Sequence, residues 1–184
     1  MSPQELRRIA LDFFDQAKDI DAASVPIDDR VRDMCAQNAC GYFGKCWTCP
    51  PAIESLETLR SRLSGYDRFM IFHKVYALED SFDWEGMARG LKAFQASVLK
   101  FRKKLASTAP GERFLVLGAG ACRLCQTCSY QEEKPCQHPE DAIISVEAYG
   151  IDVMKMMAEN RMKYNNGANT VTYVGGVFWR PGPS

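Results

Sequence analysis

The sequence has no long apolar run and no recognisable export signal. None of its segments reaches the roughly eighteen consecutive apolar residues that a membrane-crossing helix needs. Its first residues, Met1 to Glu5, do not show the basic and then apolar pattern of a signal peptide. We therefore expect a cytoplasmic protein without a membrane partner, in a compartment where thiols stay reduced.

An excess of charge of either sign is also absent, because 23 Lys and Arg balance 23 Asp and Glu. Proteins that bind nucleic acid usually carry a basic surface, so no nucleic-acid partner is expected. The pair Gly118 and Gly120 lacks the third glycine and the following helix of a dinucleotide-binding fingerprint. No low-complexity linker divides the 184 residues, which indicates one domain, or one domain with a metal-bound appendage.

What the sequence does have is cysteine, in two groups of four. In the second group, three cysteines at two-residue spacing put three sulfurs on one short loop, and the group comprises Cys122, Cys125, Cys128 and Cys136. This run with a remote fourth cysteine is typical of a [4Fe–4S] cluster. The usual remote ligand follows after three residues and precedes a proline, whereas here seven residues intervene. A histidine two residues further on, His138, is an alternative fourth ligand or an ordinary loop residue.

The first group lies within fifteen residues and consists of Cys35, Cys40, Cys46 and Cys49. Disulfides are the alternative interpretation, but the reducing location and sufficient chain length favour metal ligands. Pro50 and Pro51 are expected to open a helix whose positive end would favour a thiolate at Cys49. The aromatic residues between these cysteines would shield a cluster from water or form ordinary core: Tyr42, Phe43 and Trp47.

Outside the cysteine groups, few residues are candidates for a catalytic or metal-binding role. His73 lies inside a predicted strand, where a packed histidine is more common than a ligand. Glu147 and Asp152 flank a predicted strand-to-helix turn, and Tyr149 between them would be a proton donor. The alternative is that both acids cap and charge the helix start.

Hydrophobic periodicity predicts an α+β fold. Helices are expected over 3–19, 51–65, 83–106 and 149–163, and strands over 68–78, 114–117, 142–146 and 170–179, with a bulge or bend at Gly175 and Gly176. From residue 68 onward, the four predicted strands and the last two predicted helices follow the order βαββαβ, which predicts a ferredoxin-like sandwich. Residues 1–65 would form a helical, cysteine-rich extension with the first group. Residues 66–184 would form the α+β core, with the second group on an inserted loop.

Three segments together resemble a known family: the cysteines with Cys49-Pro-Pro, the run from Gly120 to Cys128, and the stretch from Ser145 to Val153. Over roughly residues 30–180 the chain is similar to a prokaryotic family of predicted metal-binding proteins, which carries a domain-of-unknown-function label. The resemblance implies that the eight cysteines bind metal. It implies neither which metal nor a substrate.

The cysteine spacing therefore predicts an iron–sulfur protein with two [4Fe–4S] clusters, each on four cysteines. We expect it to transfer electrons at low potential to a redox partner protein. Two alternatives stay open, an iron–sulfur reductase acting on a small substrate and a zinc-stabilised interaction module. The sequence does not determine whether the protein is an enzyme, or its oligomeric state.

Overall fold

A computed structural model describes residues 1–181 of the chain, which form a mixed α+β fold. The helices and strands are α1 Pro3–Leu11, β1 Gln16–Asp21, α2 Asp29–Ala36, α3 Leu56–Leu63, β2 Arg68–Ala77, α4 Trp84–Thr108, β3 Phe114–Leu117, α5 Val153–Glu159 and β4 Thr170–Trp179. Short 3-10 helices lie at Ala22–Ser24, Ser129–Glu132 and Glu147–Tyr149. In the described part of the chain, no helix combines the length and apolar character needed to cross a membrane.

The four strands form one sheet in the order β1-β2-β4-β3, and every neighbouring pair is antiparallel. The last strand, β4, therefore lies in the middle, between β2 and β3. Since β2 and β3 both run antiparallel to β4, they are parallel to each other, and α4 is the crossover that joins them. Residue Phe178 of β4 is paired with Phe69 on one side and with Leu115 on the other.

Helices cover both faces of the sheet. On one face, α1 and α4 pack against β2, and Phe14, which follows α1, stacks on Phe72 with ring centroids 3.9 Å apart. On the other face, α3 and α5 pack against residues such as Phe69 and Ile71. Neighbouring β2 residues enter opposite cores because side chains alternate along a strand. The apolar stripe of α4 explains its length, since Phe94, Val98, Phe101 and Leu105 are all fully buried.

The glycine pair in β4 makes room for these aromatic rings. Gly175 and Gly176 are paired regularly with Phe72 and Ile71, without the bulge that the sequence predicts. A Cβ atom on Gly175 would lie 2.5 Å from Phe72 Cε2, and one on Gly176 would overlap the Phe69 ring. Each glycine thus accommodates a ring on one face of the sheet.

The prediction of a helix over 3–19 is wrong after Leu11. Asp12 ends α1, and residues 16–21 form the edge strand β1, in which Ala17 and Ile20 are buried. Pairing with β2 overrides the helical spacing of the sequence. Arg68 of β2 forms ion pairs with Asp19 and Asp21 across the strands, which explains an edge strand so rich in charge.

The stretch 142–146 is not a strand. It makes one parallel bridge, Gly118 to Ser145, and hydrogen bonds to both sides of Gly118. The fourth strand of the described sheet is therefore β1, and the ferredoxin-like order βαββαβ is not found there. The division into 1–65 and 66–184 stays a prediction, although β1 from the first segment is paired with β2 from the second.

The predicted helices differ in their bounds. The helix expected over 83–106 is confirmed as α4, which begins after Asp83, whose side chain accepts a hydrogen bond from Gly86 N at 2.7 Å. The helix expected after Pro51 begins only at Leu56, where the Ser55 hydroxyl accepts a hydrogen bond from Thr58 N. The helix expected over 149–163 is shorter, because Asp152 caps α5 and Asn160 follows its last residue.

Candidate metal centre

The eight cysteines lie on two irregular segments that the fold brings together. Cys35 is in the last turn of α2, and the other cysteines of the first group follow in a turn-rich loop before α3. The second group lies on the long connection between β3 and α5. All eight are free thiols. Because α3 begins at Leu56, Cys49 does not lie at the helix N-terminus where the sequence predicted it.

One cavity, which we call the Cys122 cavity, is lined by five sulfurs. Its cysteines are the whole second group and one member of the first: Cys46, Cys122, Cys125, Cys128 and Cys136. The rim also includes the exposed His138. Cys136 and His138 are both present there, so the structure does not choose between them as ligands.

A second cavity, the Cys35 cavity, is lined by the remaining three sulfurs. These belong to Cys35, Cys40 and Cys49. Its walls come from three parts of the chain: α2 with the loop after it, Gly120 and Ala121 behind β3, and the segment Ser145 to Ala148. The four-and-four division of the sequence is thus a three-and-five division between the cavities.

The two cavities adjoin at Cys46, which lines the Cys122 cavity and contacts the thiol of Cys49 in the Cys35 cavity. The Cys46 sulfur, buried in the fold, lies 4.0 Å from the Cys122 carbonyl oxygen. Thr48 links the two segments, because its hydroxyl oxygen lies 3.3 Å from Cys46 Sγ and accepts a hydrogen bond from Cys122 N at 3.2 Å. The cysteine groups, 76 residues apart at this contact, therefore lie side by side.

The aromatic residues of the first loop reinforce this junction. The Trp47 indole donates a hydrogen bond to the Lys134 carbonyl at 3.0 Å and meets the Tyr130 ring edge-on, with centroids 4.9 Å apart. Tyr42 lies under the Arg123 guanidinium, 5.2 Å from ring centroid to Cζ. Tyr42 and Trp47 line the Cys122 cavity, while Phe43 lines the Cys35 cavity. These half-buried rings line the cavities, whereas the sequence left open whether they shield a site or form ordinary core.

The sulfurs at the junction differ in acidity. Hydrogen bonding from the Cys122 and Cys49 thiols holds the pKa of Cys46 far below its usual range. The same contacts, together with burial, raise the pKa of Cys49 and of Cys122. Burial raises the pKa of Cys35, and the neighbouring Cys40 and Glu147 add to that shift.

Arg32 of α2 braces the Cys35 cavity. Its guanidinium donates to the Ala148 carbonyl at 2.9 Å and to the Glu54 carbonyl at 3.3 Å. This ties α2 to the 3-10 helix and to the segment before α3. Burial lowers the pKa of Arg32, and the nearby Cys35 opposes that shift, so the cation lies within electrostatic reach of the thiol.

Glu147 carries a buried carboxyl oxygen in the wall of the Cys35 cavity. The residue as a whole is half-buried, but its Oε2 atom is inaccessible to solvent and has no hydrogen-bond partner. Burial raises the pKa of this carboxyl. Unlike Asp152, which accepts a hydrogen bond from Lys155 N at 2.9 Å as the cap of α5, Glu147 does not cap a helix.

The other candidate residues lie away from the cavities. Tyr149 is buried in the core against α3, where burial raises its pKa, and it does not line either cavity. His73 is buried in β2 without hydrogen-bond partners, and burial lowers its pKa. Neither residue is placed to act with the cysteines.

The donor set fits a thiophilic metal. Thiolates select zinc, copper(I) and iron–sulfur clusters. Among residues 1–181, however, no three Cys, His, Asp or Glu side chains converge closely enough to hold a metal ion. The sulfurs line two cavities and do not surround one point.

The fold and these cavities define a cysteine-rich α+β protein with two adjoining thiol-lined sites. The family model described as predicted metal-binding protein (DUF2284) matches residues 18–179, from β1 to the last residue of β4. The chain therefore belongs to this family of predicted metal-binding proteins. No curated protein and no solved structure matches it.

Sequence reasoning identified the cysteines but not their distribution. It missed Thr48 and Arg32, since one hydroxyl and one arginine have no distinguishing pattern in a sequence. A buried Glu147 next to Cys35 depends on the contact between α2 and the 3-10 helix, which no local signal predicts.

Proposed function

We propose that the protein binds two [4Fe–4S] clusters through its cysteines and transfers single electrons at low potential to a partner protein. The observation that supports this most directly is the junction at Cys46 and Cys122. Both of these cysteines line the Cys122 cavity, and Cys46 contacts Cys49 of the Cys35 cavity, so metal centres held in the two cavities would be neighbours. A cluster, when bound, accepts and releases one electron at a potential set by its ligands, hydrogen bonds and solvent exposure.

The residues around the cavities suit such centres. Four thiolates around one cubane leave a net negative charge, and the Lys45 and Arg123 side chains at the Cys122 cavity would offset it. Tyr42 and Trp47 limit solvent access on one side of that cavity. Leu124, which is 43% exposed on its rim, offers an apolar contact for a redox partner close to the sulfurs.

Metal and sulfide analysis of anaerobically purified protein tests the proposal. Two cubanes require about eight iron and eight sulfide per chain. Two neighbouring reduced clusters also interact magnetically, so the EPR spectrum of the reduced protein should show more than the sum of two isolated centres. Two zinc ions per chain without sulfide would contradict the proposal.

The zinc-stabilised interaction module is the second candidate, and the cross-links between the loops favour it. Thr48 to Cys122 and Trp47 to Lys134 fix two irregular segments together, which is what a structural zinc site commonly does. Zinc protein would be colourless, whereas the iron–sulfur form would be brown. The reductase alternative loses its predicted proton donor, because Tyr149 is buried in the core.

A further inference from the structure

Three cysteine sulfurs meet where the two loops touch. The Cys46 thiol contacts that of Cys122 from the second group and that of Cys49 from its own group. Its sulfur also lies 4.0 Å from the Cys122 carbonyl oxygen, although 76 residues separate these two cysteines in the chain. All three are free thiols, and neighbouring thiols can form a disulfide as well as bind metal.

The fold holds Cys46 and Cys122 beside each other on irregular backbone. Thr48 fixes both, because its hydroxyl oxygen lies 3.3 Å from Cys46 Sγ and accepts a hydrogen bond from Cys122 N at 3.2 Å. Neither cysteine belongs to a helix or a strand, so a small shift of either loop brings the sulfurs closer without disturbing the sheet. Both cysteines also line the same cavity, the Cys122 cavity.

Cys49 is the competing partner for Cys46. The two lie in one turn, in which Cys49 N donates a hydrogen bond to the Cys46 carbonyl at 3.0 Å. Cys49 lines the Cys35 cavity, however, and not the cavity that Cys46 lines. A disulfide between residues 76 positions apart also constrains the unfolded chain far more than a disulfide across one turn. Cys122 is therefore the favoured partner of Cys46.

We propose that Cys46 and Cys122 form a reversible disulfide when the protein is free of metal, which joins the two cysteine loops covalently and regulates metal binding. The regulatory part rests on the proposed function. With two of the five cysteines of the Cys122 cavity in the bond, three remain, one fewer than a cubane takes. Oxidised protein would therefore not hold a cluster in that cavity until a thiol reductant reopens the bond.

Oxidation by a small disulfide such as oxidised glutathione proceeds in two exchange steps. The Cys122 thiolate, which is partly exposed, attacks one glutathione sulfur, forms a mixed disulfide and releases one reduced glutathione. The Cys46 sulfur, which is only 2% exposed and protected from direct attack, then attacks the Cys122 sulfur and releases the second glutathione. Two protein thiols are thus oxidised, one glutathione disulfide is reduced to two thiols, and the two protons pass to the released thiols.

Thiol mapping of the full-length, metal-free protein tests the assignment. We expect glutathione buffers of rising oxidised fraction to lower the free thiols from eight to six per chain. After alkylation and digestion, mass spectrometry should find the peptides of Cys46 and Cys122 joined, with the linked cysteines identified by fragmentation, and a phosphine reductant should separate them. A free Cys46, or a bond from Cys46 to Cys49 in place of this one, would overturn the inference.

Two single substitutions separate this bond from its neighbours. In Cys46→Ser, the Cys122 thiol lacks the partner that displaces glutathione, so it should stay as a mixed disulfide. The matched control is Cys125→Ser, which removes another sulfur from the same cavity and should leave the bond between Cys46 and Cys122 in place. Circular dichroism checks that each variant is folded. If folded Cys46→Ser still forms one internal disulfide, another pair carries the oxidation and the inference is wrong.

The effect on metal binding is measured separately, with Zn²⁺ as the probe because thiolates bind it without a redox change. Oxidised protein should take up less zinc than reduced protein, and the phosphine should restore the uptake. Equal uptake by both forms would overturn the regulatory role. Failure of the proposed function would look different, since anaerobic protein that holds zinc and no sulfide would contradict the clusters and leave the mapped disulfide unaffected.

Discussion

Thr48 is a small residue on which the alignment of the two cysteine loops depends. Its side chain is only 4% exposed, and its hydroxyl oxygen accepts the Cys122 N–H hydrogen bond while touching the Cys46 sulfur. Replacing Thr48 by valine keeps the shape but removes the acceptor. The Cys122 N–H is then left without this partner at a partly buried position.

The expected loss of stability follows from that unpaired group. A buried donor without a partner costs about 1–3 kcal/mol, so we expect Thr48→Val to be about 2 kcal/mol less stable. With a urea dependence of about 2 kcal/mol per molar, the unfolding midpoint would fall by about 1 M. Metal-free, reduced protein is the appropriate sample, because bound metal would add its own stabilisation.

A second threonine supplies the control. In Thr170→Val the lost hydroxyl is exposed and donates to the Gly167 carbonyl, so the midpoint should move little. If the midpoint of Thr48→Val stays within about 0.2 M of the original, this hydrogen bond does not hold the loops together and the reasoning is refuted.

Three further changes test other parts of the structure. Cys125→Ala should leave about half of the iron in anaerobic protein, since only the Cys122 cavity loses a ligand; almost complete loss would mean that the two sites are not separate. Gly176→Ala places a methyl group in the Phe69 ring, and we expect a loss of about 1–3 kcal/mol in urea unfolding, with an unchanged midpoint as the contrary result. Tyr76 has a buried hydroxyl without a hydrogen-bond partner, and burial raises its pKa to about 12. The unfolded chain ionises this phenol near pH 10, so the stability that the neutral Tyr76 contributes is complete below about pH 10 and is lost between about pH 10 and 12. Tyr76→Phe should therefore be about as stable at pH 7 and lose less stability between pH 7 and 11; an equal alkaline loss in both proteins would contradict this.

The core of the fold was predictable where hydrophobic patterns are strong. The continuous apolar run of β3 and the apolar stripe of α4 can be recognised in the sequence, because each is a local hydrophobic pattern. In contrast, β1 carries Lys18, Asp19 and Asp21 and exists as a strand through its pairing with β2 and the ion pairs of Arg68. The local sequence around β1 contains none of these β2 residues, so it does not predict the strand.

The site was predictable in composition but not in arrangement. Spacing along the chain grouped Cys46 with Cys35, Cys40 and Cys49. In the fold, Cys46 contacts Cys49 of its own group and also lies beside Cys122, 76 residues later. Long-range contacts of this kind are set by the tertiary structure, so cysteine spacing alone does not show that Cys46 also lies beside the second group.

The central position of β4 has a consequence for how the protein is made in the cell. A ribosome delivers the chain from its N-terminus, so all eight cysteines emerge before Thr170–Trp179. Until β4 arrives, β3 lacks the only strand it pairs with in the described sheet, and the loop that follows β3 has no fixed position beside Cys46. On the proposed function, the finished sites would therefore be loaded with metal only after β4 has been synthesised.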